Sequence, residues 1–164
     1  ADKSKQSTVN QPANTDIANT TKPAAQTPAQ SVVSENAAQQ SKTSLNKYDE
    51  LLKSGEQAYK DKYYRVALQY FIEAIKVNEK GEDALFNSGV ISYYLKNYSD
   101  ANEYFEKLLA INDKDLDSLI YNGLCLYKLG LKDESKNCFK KILLIADKNS
   151  DYYKKTAQFF EKVR

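Results

Sequence analysis

The chain has no histidine, no tryptophan and no methionine, and its five glycines stand apart from one another. Without histidine it lacks the commonest general base and metal ligand. Isolated glycines exclude a phosphate-cradling loop and a dinucleotide fingerprint, and no G-x-S-x-G occurs. Its 22 acidic residues are scattered along the chain rather than paired for acid–base work. These absences point away from an enzyme and from any cofactor. The two cysteines, Cys125 and Cys138, follow neither a CxxC nor a zinc spacing. No apolar run approaches the roughly 18 residues of a membrane span. A net charge of +2 with no basic run gives no strong field toward nucleic acid or anionic lipid.

What the chain does contain is unevenly placed. All three prolines (Pro12, Pro23, Pro28) lie near the start, and no aromatic residue precedes Tyr48. Residues 1–43 are rich in Gln, Thr, Ser, Asn, Ala and Pro, with Val9, Ile17, Val32 and Val33 as the only bulky apolar side chains. Such a segment cannot bury enough surface to offset its ordering entropy, so residues 1–43 read as a disordered tail. As a flexible coil it would span about 35 Å. It is either a dispensable extension or a tether that holds the folded part away from a surface. A chain opening on Ala1 without methionine, behind a Gln/Thr/Pro-rich leader, suits an exported protein tethered at the cell envelope, as by a lipid-bearing residue. Unpaired cysteines suit the cytoplasm equally well.

From Tyr48 the pattern turns helical and repeats. Leu85, Gly89, Ala101 and Phe105 have counterparts one period earlier (Leu51, Gly55, Ala67, Phe71) and one period later (Leu119, Gly123, Ser135, Phe139), with the same spacing and no insertion. A fixed period of this size marks stacked helical hairpins. Numbering each unit 1–34 from Tyr48, Glu82 and Leu116, positions 4, 8 and 11 form one stripe of the first helix: Leu51, Gly55, Ala58; Leu85, Gly89, Ser92; Leu119, Gly123, Leu126. A helical glycine costs about 1 kcal/mol against alanine, so it implies close approach of the second helix. That helix supplies the small residue and the ring at positions 20 and 24. Breakers separate the hairpins at 78–83, 112–115 and 147–151. The cysteines fall at position 10 of one helix and position 23 of its antiparallel partner. An offset of about five residues at 1.5 Å each, added to an 8–10 Å interhelix gap, exceeds the roughly 7 Å limit for a disulfide, so both are expected free.

The glycine, the A-x-x-x-F pair and the period together resemble the tetratricopeptide repeat family, from Tyr48 to the C-terminus. The resemblance implies an all-α fold, a right-handed superhelix of stacked antiparallel helix pairs (an α-solenoid) over residues 44–164. Its repeats would be 48–81, 82–115 and 116–149, with a capping helix at 150–164 in which Tyr153, Ala157 and Phe160 take positions 4, 8 and 11. The chain departs from the family in three ways. Leucine replaces tryptophan at position 4. Ser54, Ser88 and Asn122 replace leucine at position 7. Glu79, Asp113 and Asp147 stand where proline is usual.

A second stripe at positions 5, 9 and 12 is surplus to the hairpins: Leu52, Glu56, Tyr59; Phe86, Val90, Tyr93; Ile120, Leu124, Tyr127. In the family these positions line the concave groove that receives a partner's peptide or helix. Here tyrosine recurs at position 12, bordered by Tyr94 and Tyr121, and tyrosine offers contact area and a polar tip at low entropic cost. The alternative is that these residues merely pack first helices together. At the cap the matching residues are Lys154, Gln158 and Glu161, so the apolar strip stops there. Family members that grip chaperone tail carboxylates use Lys, Asn, Asn, Lys and Arg where this chain has Leu52, Glu56, Asn87, Asp117 and Tyr121. Only Asn87 fits, so an apolar segment of a partner protein is the expected ligand. A nucleic-acid-binding helical repeat would need a basic concave face, against which Glu56 and Asp117 speak. A monomeric adaptor is the first expectation; weak self-association of a tethered envelope component is the second.

Overall fold

The computed structural model describes residues 29–162, and among them there are seven α-helices and no strand. Helix α1 spans Ala29–Lys60, α2 Tyr64–Val77, α3 Glu82–Tyr94, α4 Tyr98–Ile111, α5 Leu116–Lys128, α6 Lys132–Ile145 and α7 Asp151–Lys162. Helices α1/α2, α3/α4 and α5/α6 form the three antiparallel pairs, stacked in chain order into a right-handed superhelix, and α7 closes the end against α6. The first helices form the inner row, where α3 also touches α5.

The tail expected over residues 1–43 is shorter than that where it can be followed. Residues 1–28 lie outside the described residues, but Ala29 to Thr43 continue α1 upstream. The reason is local: between Pro28 and Thr43 the chain has no glycine or further proline, and Ala, Gln, Glu and Lys are good helix formers. Residues 41–47 of this extension are exposed, and Tyr48 is buried.

The hairpin contacts follow the period. A Cβ on Gly55, Gly89 or Gly123 would stand 2.7 to 2.9 Å from the ring of Phe71, Phe105 or Phe139 respectively. Those rings are at most 2% exposed. Where serine replaces alanine in the third pair, Ser135 Oγ donates to the Gly123 carbonyl at 2.7 Å, which satisfies the buried hydroxyl. Each hairpin turn is made alike. Lys62, Lys96 and Gly130, at φ of 65°, 65° and 84°, occupy one repeat position in the left-handed region. The next residue's N–H reaches back five residues: Tyr63 to Ala58, Asn97 to Ser92, Leu131 to Leu126. This is the Schellman closure of a helix C-terminus.

The stacking of one repeat on the next uses a face that sequence reasoning overlooked, positions 3, 7 and 10. Ala84, Ser88 and Ile91 are buried against the first repeat, and Ser118, Asn122 and Cys125 against the second. Small residues at position 7 are therefore what close stacking requires. Asn122 is held from both sides: its Nδ2 donates to Asn102 Oδ1 at 2.9 Å, and Cys138 Sγ donates to its Oδ1 at 3.0 Å. Both cysteines are free. The cap packs by the same face. Tyr152, Thr156 and Phe159 meet the third repeat, Phe159 at 4.7 Å from the Phe139 ring. The expected stripe Tyr153, Ala157 and Phe160 is only half-buried.

The turns between hairpins need no proline. Asn78 and Asn112 accept through Oδ1 from the N–H two residues on, and so does Asp147. Gly81 precedes α3 because the Tyr48 ring occupies the space a Cβ would take.

Candidate functional site

The surplus stripe lies along the inner row of first helices, and the structure gives its members unequal surroundings. Leu52, Phe86, Val90, Ile120 and Leu124 are half-buried, while Glu56 is exposed. Asn87 is half-buried and spends its Nδ2 on the Asp83 carbonyl at 2.8 Å. The three tyrosines of position 12 do not form a uniform ladder. Tyr59 is 41% exposed and meets Tyr64 edge-on at 5.4 Å. Tyr127 is 37% exposed and lies edge-on to Phe159 of the cap at 5.8 Å. Tyr93 is drawn into an aromatic cluster, with Tyr94, Tyr98 and Tyr121 at 5.8, 5.5 and 5.6 Å.

Tyr121 is the centre of that cluster. Its ring stacks on Phe105 at 5.3 Å with planes 10° apart, and Phe86 stands edge-on to both. The middle of the strip thus serves stacking and lining at once: one side of Phe86, Tyr93 and Tyr121 glues the second repeat to the third. Burial, the hydrogen bond shared with Tyr94 and the neighbouring Asp117 carboxylate push the Tyr121 phenol well above its ordinary range, and burial likewise raises Tyr93. Both stay protonated donors at any physiological pH.

What remains open is a groove of about 540 Å³ over the third repeat. Ile120, Tyr121 and Leu124 form its floor, Tyr94 one wall, and Asp151, Tyr152 and Lys155 of the cap the other. Tyr94 is 63% exposed. Asp117 stands at the rim, where the Tyr152 hydroxyl donates to its carboxylate oxygens at 3.0 and 3.1 Å. That bond, foremost, raises the Tyr152 phenol. The cap therefore does more than cover an end: Tyr152 braces α7 against α5 and completes the groove. Sequence reasoning left Tyr152, Asp151 and Lys155 out, although the first two fall at positions 3 and 2 of a fourth unit. A larger hollow, about 770 Å³, lies between the C-terminal ends of α2 and α4 and has none of the predicted residues in its lining.

Among the described residues no group of His, Cys, Asp or Glu could hold a metal ion, and no helix is long and apolar enough to cross a membrane.

Comparison with known proteins agrees with this geometry. Residues 93–159 match the family model of the tetratricopeptide repeat. The helical part of this chain has the fold of tetratricopeptide-repeat structures. No curated protein matches the sequence. Among solved structures, the first TPR of Spaghetti (RPAP3) bound to the HSP90 peptide SRMEEVD is similar at 16% identity, over 72% of this chain and 90% of that one, with a TM-score of 0.64. The Arabidopsis OM64 TPR domain is similar at 20% identity, over 73% of this chain and 98% of that one, also with a TM-score of 0.64. The Sgt2 TPR domain from Aspergillus fumigatus is similar at 19% identity, over 70% and 77% of the respective chains, with a TM-score of 0.61.

Proposed function

We propose that this chain is a non-catalytic protein-interaction module that seats an apolar segment of a partner protein in its inner groove. The observation that carries this reading is the half-buried floor of Ile120, Tyr121 and Leu124, left open between Tyr94 and the cap after every helix contact has been made. Aliphatic and aromatic burial would drive binding, since concave apolar sites with a few polar rim groups are where ligands gain most contact. That an interaction domain of this fold holds the HSP90 peptide in Spaghetti supports the general mode. The peptide itself does not carry over, because Asp117 and Tyr121 stand where the carboxylate grip needs cations.

The test compares the native chain with a Tyr94→Ala/Leu124→Glu variant in affinity capture from the native host. A partner retained by the first and lost by the second, at equal ellipticity at 222 nm, supports the groove. Equal retention by both overturns it. Tyr93 is left untouched, since its ring holds the second and third repeats together.

One observation favours self-association as a second reading. Leu144 on α6 is 84% exposed, and the groove does not explain it. Sedimentation at two concentrations of the native chain and of Leu144→Lys decides this: a concentration-dependent dimer abolished by the lysine would support it.

A further inference from the structure

Position 2 of the first helix is aspartate in every unit, cap included: Asp49, Asp83, Asp117 and Asp151 recur at the repeat period. Two of them, Asp117 and Asp151, line the groove beside Ile120 and Leu124, against a single ammonium from Lys155. The ion pairs among the described residues are Lys76–Glu73, Lys136–Asp133 and Lys141–Asp113, none of which takes an acid of this row. Tyr152 gives Asp117 a hydrogen bond but no counter-charge. The result is an apolar trough with a regular acidic edge, two carboxylates against one ammonium, on a chain whose overall charge is +2.

From this juxtaposition we infer that the partner segment is basic as well as apolar. Its aliphatic side chains lie on Ile120 and Leu124, and its lysine or arginine side chains face Asp117 and Asp151, with Asp83 continuing the row one repeat earlier. The inference rests on the groove reading and adds the sign of the ligand. Charge complementarity of this kind fixes partner choice and register more than raw affinity. It acts within about 8–10 Å at ordinary ionic strength, so the local acids outweigh the distant lysines that make the whole chain positive.

The experiment is fluorescence anisotropy of the full chain with two labelled synthetic peptides. One carries leucine and lysine at helical spacing; the other is identical except that every lysine is glutamate. Because the chain is positive overall, unspecific attraction would favour the glutamate peptide, so tighter binding of the lysine peptide reports the groove. Asp117→Asn/Asp151→Asn is expected to weaken the lysine peptide about 3- to 10-fold, the effect of losing two partly exposed charge contacts. Glu103→Gln/Glu134→Gln, which removes two acids from second helices, is expected to leave it unchanged. Tyr94→Ala/Ile120→Ser is expected to weaken both peptides. If the asparagine variant binds as the native chain does while Tyr94→Ala/Ile120→Ser fails to bind, the groove stands and the basic partner is wrong. If the glutamine control loses as much as the asparagine variant, the attraction is not local and the inference falls. If no variant matters, the groove reading falls with it. Matched ellipticity and melting temperature across the variants exclude unfolding as the cause.

Discussion

Changing Gly89 to alanine adds one methyl group at the tightest interface of the second hairpin. On an isolated helix the change is favourable by about 1 kcal/mol, because glycine carries the larger backbone entropy cost. Here the new Cβ would stand 2.7 Å from Phe105 Cζ and 2.9 Å from both Cε atoms. Carbon atoms in contact settle at about 3.5–4.0 Å, so the ring or the helix has to shift by about 1 Å. Phe105 has no free direction: it is fully buried, Tyr121 is stacked on it at 5.3 Å, and Phe86 stands edge-on at 6.0 Å. Overpacking a closed site costs about 1–3 kcal/mol, and a ring pinned by two others belongs at the upper end. The sum is a net loss of about 2 kcal/mol, which is about 8 °C in melting temperature for a folded region of this size.

The proof of cause lies in the double variant. In Phe105→Leu the clashing ring is gone, so adding Gly89→Ala to that background should recover the helix-propensity gain of about 1 kcal/mol. The coupling between the two sites is then about 3 kcal/mol, at the top of the range for residues in contact. Urea unfolding followed at 222 nm for the four proteins of the cycle measures it. A stabilising Gly89→Ala, or effects of the two changes that simply add, would refute the close-approach explanation of the repeated glycine. Gly123→Ala should be milder, since its Cβ would meet the Phe139 ring at 2.9 Å and then 3.1 Å.

Four further outcomes are expected. Phe105→Ala should cost about 3–5 kcal/mol by leaving a cavity in a fully buried site, read as a shift of the urea midpoint. Lys96→Gly should raise stability by about 0.5–1 kcal/mol, because φ of 65° strains a side chain that glycine lacks; Gly130→Ala should lower it by a similar amount. Ser88→Ala should stabilise by about 1 kcal/mol, since its buried hydroxyl has no hydrogen-bond partner and alanine is the better helix former; a destabilised variant in thermal melts would contradict this. Burial pushes the Cys125 thiol up to about 12, whereas the unfolded chain ionises it near 9. The native state therefore binds more protons in that window, and stability falls as pH rises from about 9 toward 12, by up to about 1.4 kcal/mol per unit. Cys125→Ala should flatten the slope between pH 9 and 10, and an unchanged slope in urea midpoints would refute the assignment.

How much of this was legible in the sequence depended on whether one position served one purpose. Gly89 and Phe105 meet inside their own hairpin, so their demand for a missing side chain and a large ring returns cleanly in every repeat and was readable at once. The stacking face was harder, because Ser88, Asn122 and Thr156 are polar residues in buried places. They look like surface in a hydropathy pattern, and only the need for small or hydrogen-bonded side chains at close range explains them. Lys62 and Lys96 hid the shared left-handed turn that Gly130 alone would have announced. The inner strip was half legible for a related reason. Phe86, Tyr93 and Tyr121 answer to two neighbours, the next repeat and the open groove, and composition cannot apportion a ring between them. The acidic edge was visible throughout as aspartate at one position in four units, yet it has meaning only once Asp117 and Asp151 are seen on the same trough. In a stacked array a recurring residue tells which side of a helix it occupies, while the surroundings of that side change from the first repeat to the cap. The proposed function draws on that change: the groove opens over the third repeat, where Tyr94 is exposed and α7 supplies the far wall.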